Sequence, residues 1–139
     1  MQRAAGYRSL TVWQRAMDLT LASYDVVALL PAVERYELGS QIRRSAVSVP
    51  ANIAEGYARA HPGEFLHYLA IAAGSLAELQ TLLALVGRLG YGSAEQLACP
   101  LGLALETERM LHGLRRAVQG RRTGRRPVHA PRSRSERST

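Results

Sequence analysis

QIRRSAVSVPANIAEGYAR, running from Gln41 to Arg59, holds both a helix and an objection to it. Ile42, Ala46, Val49, Ile53 and Tyr57 fall at steps of four, three, four and four. That spacing lines one face of an α-helix. Pro50 sits in the middle of the stripe. An interior proline removes a backbone hydrogen bond and crowds the preceding turn, at a cost of about 3 kcal/mol in a free helix. Asn52 and Glu55 follow close to the apolar face. The segment therefore reads as a helix, bent or interrupted at Pro50, whose tertiary surroundings compensate for the proline. Pro50 frees the carbonyl of Ala46. Ser48, Asn52 and Glu55 are the polar side chains placed to form a structural network beside it, with Arg15 or Arg59 as a possible arginine partner for Glu55. Buried polar groups persist where they are hydrogen-bonded, and a satisfied network stiffens a bend.

Three further helices flank this one. The first is expected over about 11–30, capped by Ser9 or Thr11 and ended by Pro31. Val12, Ala16, Leu19, Val26 and Leu30 form its stripe, and Trp13, Met17 and Tyr24 widen it. His61-Pro62-Gly63 breaks the chain, with Pro62 suited to a helix start because its missing N–H costs nothing there. A long helix over about 63–89 buries Phe65, Leu69, Ala72, Leu76, Leu79, Leu83 and Val86. Ala70, Ala73, Gly74 and Ala77 add a small-residue patch where another helix could approach. Gly90 is its natural stop. Ser93 and Gln96 form a capping box for the fourth helix. Pro100 divides an initial turn from its main body, and Leu97, Leu101, Ala104, Leu111, Leu114 and Val118 carry its stripe. Four helices with short links predict an all-α, up-down-up-down four-helix bundle over residues 1–118. Residues 119–139 have no apolar period and read as a disordered Arg-rich tail.

The matching anchors of a known family lie in three separate segments. They are Leu10, Val12-Trp13-Gln14, Ala16 and Leu19, then Pro31 and Glu34; Gln41-Ile42-Arg43-Arg44, Ser48-Val49-Pro50 and Asn52-Ile53-Ala54-Glu55-Gly56; and Glu64-Phe65, Ala72, Gly74-Ser75-Leu76, Glu78-Leu79 and Leu89-Gly90-Tyr91. In these residues the chain resembles the four-helix-bundle proteins encoded in intervening sequences of bacterial 23S rRNA genes, which the accessory (variability determinant) proteins of diversity-generating retroelements also resemble. The resemblance covers about 7–118 and says nothing of the basic tail. It implies a homopentameric ring. Helical periodicity shows only that helices one and three carry more apolar surface than one core stripe needs, and a second apolar face usually meets a partner.

All 18 basic residues are arginine, and the formal net charge is +7. Residues 1–118 hold 11 Arg against 10 Asp plus Glu, whereas residues 119–139 hold 7 Arg against 1 Glu. Arginine-only usage fits a GC-rich genome as well as it fits phosphate binding. The single cysteine, Cys99, excludes an internal disulfide, and a reducing cytoplasm suits such a chain. No signal peptide and no uninterrupted apolar run of membrane-spanning length can be read, so no membrane partner is expected.

Catalytic motifs are missing: no nucleophile elbow and no strand-borne phosphate loop. Glu64 and His67 stand at Glu-x-x-His spacing, with Glu55 and Glu78 on neighbouring turns, but a di-metal bundle needs two such pairs and Glu108–His112 is spaced four apart. The expectation is no enzyme, no metal and no cofactor. The basic residues are the remaining chemistry. Arg43-Arg44 and Arg115-Arg116 are helix-borne pairs, and Arg121-Arg122 and Arg125-Arg126 open the tail. A symmetric ring multiplies such patches, and arginine-rich segments bind phosphate without reading sequence. The expected function is an oligomeric scaffold binding RNA or DNA. The resemblance implies two settings, and the basic tail favours the retroelement accessory subunit, which would hold template RNA or cDNA and dock a reverse transcriptase. The alternative is an rRNA intervening-sequence protein acting as a structural or protein-interaction bundle without direct nucleic-acid function.

Overall fold

The computed structural model describes residues 2–122, with side chains from Gly6 onward. A 3-10 segment, Gln2–Ser9, leads into four helices: α1 (Thr11–Ala28), α2 (Leu38–Ala58), α3 (Pro62–Arg88) and α4 (Ala94–Arg122). A short 3-10 turn, Ala32–Glu34, lies between α1 and α2. There is no strand among the described residues. Each helix packs on two others, α1 on α2 and α4, α3 on α2 and α4, which makes the up-down-up-down four-helix bundle. The core is one contiguous cluster. The stripes of α1, α2 and α3 supply Leu19, Ile42, Ala46, Val49, Ile53, Leu69, Leu79 and Leu83, each fully buried.

The helix ends show why the chain reverses where it does. Pro62 is the first residue of α3, and His61 caps it by accepting the Gly63 N–H at Nδ1, 3.2 Å away. At the other end Gly90 takes a φ of 76°, which a side chain would disfavour. Tyr91 N then donates to Val86 O at 3.1 Å, and Gly90 N to Gly87 O at 3.1 Å, closing a Schellman motif. The Ser93 capping box forms in both directions: Gln96 N donates to Ser93 Oγ at 3.1 Å, and Ser93 N donates to Gln96 Oε1 at 3.0 Å. The start of α1 differs from expectation. Leu10 occupies the cap position without a side-chain bond, Ser9 Oγ donates instead to Gly6 O, and Gln14 Nε2 donates to Arg8 O.

Neither interior proline breaks its helix. α2 runs unbroken through Pro50 and α4 through Pro100. Pro100 is buried, while Leu101, expected in the core, is 36% exposed, because Leu97, Pro100, Ala104, Thr107 and Leu111 set the inward face of α4. The helix also continues to Arg122, past Val118, where the apolar period stops. The remainder of the arginine tail, including Arg125 and Arg126, lies outside the described residues.

α3 is long and apolar enough to cross a membrane by length and composition. Its hydropathy has a local cause: eight of its residues, from Phe65 to Val86, are buried against the other helices. A close helix approach joins α2 to α3. A Cβ on Gly56 would stand 2.7 Å from Tyr68 Cβ and 3.0 Å from Phe65 Cδ1. In the small-residue patch of α3, a Cβ on Gly74 would meet nothing within 4 Å, whereas Ala73 and Ala77 face α4 across a small cavity lined also by Glu108, Leu111 and His112.

Candidate nucleic-acid interface

The polar network around Pro50 has a different membership from the one the sequence suggests. Proline has no N–H, so the carbonyl of Ala46 loses its helical donor. Thr20 of α1 supplies the replacement: its Oγ1 lies 3.1 Å from Ala46 O and 2.8 Å from Ala16 O, one hydroxyl proton facing two carbonyls. Asn52 and Ser48 lie on the side of α2 that meets α3. Asn52 Nδ2 donates to Ser48 O at 2.7 Å and to Ser48 Oγ at 2.9 Å. Ser48 Oγ in turn shares a proton with Ser75 Oγ at 2.7 Å. Glu55 is outside this cluster. It is exposed, and its Oε1 pairs with Arg59 Nη2 at 3.3 Å. The helical turn points Glu55 outward, so a charge near the apolar stripe in sequence lies in solvent in space. Arg15, the other candidate partner for Glu55, instead ties α1 to α4 through Glu106 at 2.9 Å and bonds Asp18 at 3.3 Å.

The basic pairs fall at opposite ends of the bundle. Arg43 and Arg44 lie near the start of α2, on a shallow groove of about 790 Å³ lined also by Tyr24, Tyr36, Val47 and Ser48. Arg43 Nη2 donates to Arg35 O at 3.3 Å and to Ser40 Oγ at 3.4 Å, which holds it along the helix. Tyr36 is 85% exposed. The field at this end is balanced, because Asp25, Glu34, Glu37 and Glu95 accompany Arg35, Arg43, Arg44 and Arg88. Roughly 20 Å away along α2, at a rise of about 1.5 Å per residue, the chain gathers a different set. Arg8 from the leading segment, Arg59 from the end of α2, and Arg115, Arg116, Arg121 and Arg122 from the last turns of α4 share one end, against Glu55 and Glu64.

Sequence reading finds the pairs at 43–44, 115–116 and 121–122 but not the sidedness, which depends on antiparallel topology. It also misses Arg8 and Arg59, isolated in sequence and brought in by the fold. Arg59 is fixed by three groups: Glu55, the Tyr68 hydroxyl that its Nη2 reaches at 3.0 Å, and the Tyr68 ring, 5.2 Å from its guanidinium carbon. The bond to Glu55, with Tyr68 next, raises its pKa further above the ordinary arginine value, so it stays charged at any working pH. Among the described residues, ion pairs engage Arg15 and Arg59 and leave Arg115, Arg116, Arg121 and Arg122 without a carboxylate.

The same end holds a cavity of about 430 Å³ between the α2–α3 turn and the last turns of α4. Leu10, Tyr57, Phe65, Leu114 and Val118 wall it, and Arg59, His61 and Arg121 stand at its margin. Tyr57 and Phe65 meet edge to face, with ring centres 5.9 Å apart at 86°. Elsewhere, His67 stacks edge-on against Tyr68. Among the described residues no three His, Cys, Asp or Glu side chains are grouped to hold a metal ion.

A family model described as 23S rRNA-intervening sequence protein matches residues 8–113. The match takes in Arg43 and Arg44 and stops short of Arg115. Among solved structures, a protein of unknown function from the S23 ribosomal protein family of Bacteroides thetaiotaomicron is similar, at a TM-score of 0.68 and 24% identity, over 75% of this chain and 97% of that one. At that identity the likeness is one of fold. No curated protein matches the chain.

Proposed function

We propose a function for a chain that belongs to the 23S rRNA-intervening sequence protein family: it is a non-enzymatic, cytoplasmic scaffold that binds RNA or DNA without strong sequence preference, using the arginine end of the bundle. One observation carries the reading. Among the described residues six arginines share that end with two glutamates, and in sequence the Arg-rich segment follows Arg122. Such a surface attracts a polyanion by releasing its counterions, and its affinity falls steeply with salt. Self-association multiplies the field. Met17, Leu21 and Tyr24 on α1, at 37%, 66% and 46% exposure, offer an apolar face for it, and a homopentamer is the assembly the family resemblance suggests. In a retroelement setting the arginine end would hold template RNA or cDNA beside a reverse transcriptase.

A gel shift of the full chain with a labelled RNA about 30 nucleotides long, repeated from low to high salt, tests this. Retarded complex at low salt that dissolves as salt rises is the expected result. Absence of complex at low salt would leave the exposed apolar face as the working surface and the protein as an interaction bundle.

A further inference from the structure

We infer that the cavity at the arginine end takes one unstacked base of a single strand, with the adjoining phosphates on Arg59, Arg121 and Arg122, so that the protein prefers single-stranded nucleic acid to duplex. The inference rests on the nucleic-acid reading above and adds which form of the polymer is bound.

The cavity has the two parts that single-strand binding requires. A basic margin follows the backbone, and an aromatic wall takes the flat face of a base, which suits any base because each has a π-face. Tyr57 is the accessible part of the wall, 40% exposed, and Phe65 behind it is buried and fixes its tilt by the edge contact. Leu10, Leu114 and Val118 make the rest apolar, and about 430 Å³ falls in the range of sites that enclose small ligands. Arg59 and Arg121 line the cavity beside these apolar residues. Arg59 is held by Glu55 and Tyr68, Arg121 lines the margin, and Arg122 lies across the turn, its Nε 3.7 Å from where a Cβ on Gly63 would be. His61 adds a directional donor. Its Nδ1 already accepts the Gly63 N–H, so the neutral ring carries its proton on Nε2. A duplex cannot use this geometry, because its bases stay stacked and their faces are covered. The groove at the opposite end has arginines and tyrosines too, but it is the more open of the two, and Asp25, Glu34, Glu37 and Glu95 at its end balance its arginines.

Fluorescence anisotropy on the full chain, at one low salt concentration, tests the inference with three probes of about 12 nucleotides or base pairs, within the span of a single-strand site. They are an oligo-dT, the same backbone with abasic sites throughout, and a duplex. The oligo-dT is expected to bind about five-fold or more tighter than either the abasic strand or the duplex, in keeping with the energy of one base–aromatic stack, and a duplex bound as tightly as oligo-dT overturns the inference. Tyr57→Leu and, separately, Ala60→Leu at the cavity mouth should bring oligo-dT down to the abasic value and leave abasic affinity unchanged. Tyr36→Leu in the other groove should change neither. Equal binding of oligo-dT and abasic strand overturns the inference while the nucleic-acid reading stands. So does loss of oligo-dT binding from Tyr36→Leu with Tyr57→Leu neutral. Failure of all three probes to bind removes both readings. Circular dichroism melts of each variant show that the fold is kept, and Ala60→Leu, at an exposed position, serves if Tyr57→Leu does not fold.

Discussion

Thr20 Oγ1 lies 3.1 Å from the carbonyl oxygen of Ala46, the acceptor that Pro50 deprives of its helical donor. The hydroxyl comes from α1 and the proline from α2, so a local defect in one helix is repaired by its neighbour. Thr20 and Pro50 are both buried. A helix carrying Pro50 is therefore specified to pack against a helix carrying a hydroxyl at that height.

Thr20→Val keeps the shape and removes the donor. It should lower stability by about 1–3 kcal/mol, the cost of leaving a buried acceptor unpaired. In a Pro50→Ala background the backbone N–H restored at position 50 can bond Ala46 O, and the same Thr20→Val change should cost less than half as much. Urea denaturation of the four proteins of this cycle gives the coupling directly. Additive losses would show that Thr20 serves Ala16 O alone.

Asn52 and Glu55 should separate in the same assay. Asn52 holds Ser48, and Ser48 holds Ser75 across the α2–α3 contact. Asn52→Ala is expected to cost about 1 kcal/mol. Glu55→Gln breaks only an exposed pair with Arg59 and should stay within about 0.5 kcal/mol of the parent. Similar losses for both would return Glu55 to the network.

Glycine substitutions should show opposite signs in two helices. Gly56→Ala places a Cβ 2.7 Å from Tyr68 Cβ, which forces α2 and α3 apart. Overpacking of that kind costs about 1–3 kcal/mol and outweighs the gain in helix propensity. A Cβ on Gly102 in α4 meets nothing within 4 Å. For Gly102→Ala the propensity gain of up to about 1 kcal/mol should therefore stand alone. Thermal melts read both shifts.

These residues also show what can be read from the chain alone. The stripes of α1, α2 and α3, the capping box at Ser93 and the stop at Gly90 depend on spacing and local chemistry, and a sequence displays both. Thr20 cannot be found that way, because its role exists only where α1 crosses Pro50. Spacing misplaces Leu101 because Pro100, which reads as a breaker, is itself the buried residue of that turn. Gly56 can be read only as part of a family pattern, since its partner atoms belong to α3. The arginine end is legible in parts. Two of its pairs are visible in sequence, but only antiparallel topology brings Arg8 and Arg59 to the same end as the turns of α4.

Assembly is checked by light scattering, where the full chain should show several times its mass of 15.2 kDa. Leu21 is 66% exposed on α1 beside Met17 and Tyr24. Leu21→Glu should reduce the particle toward a monomer without lowering the helix signal. A parent protein that is monomeric at micromolar concentration excludes the ring, and an assembly that survives Leu21→Glu puts the interface on another face.

Residues 123–139 carry five Arg against one Glu, so truncation after Arg122 removes four net charges from each chain. Binding should weaken and its dependence on salt should flatten, since each phosphate contact to a single strand contributes about 0.7 to the logarithmic slope. It should nonetheless survive, because Arg115, Arg116, Arg121 and Arg122 remain on α4 at the arginine end. Changing those four to glutamine in the truncated chain should then abolish it. Changing Arg43 and Arg44 instead should have a smaller effect, because their end of the bundle is electrically balanced and Arg43 is held to Arg35 O and Ser40 Oγ. All these side chains lie outside the core, so the melts should be little altered. If the Arg43 and Arg44 changes abolish binding and the α4 changes do not, nucleic acid is held at the α2 groove. If truncation alone removes all affinity at low salt, the helix-borne arginines are an ordinary solvated face, and the bundle is a platform for its tail.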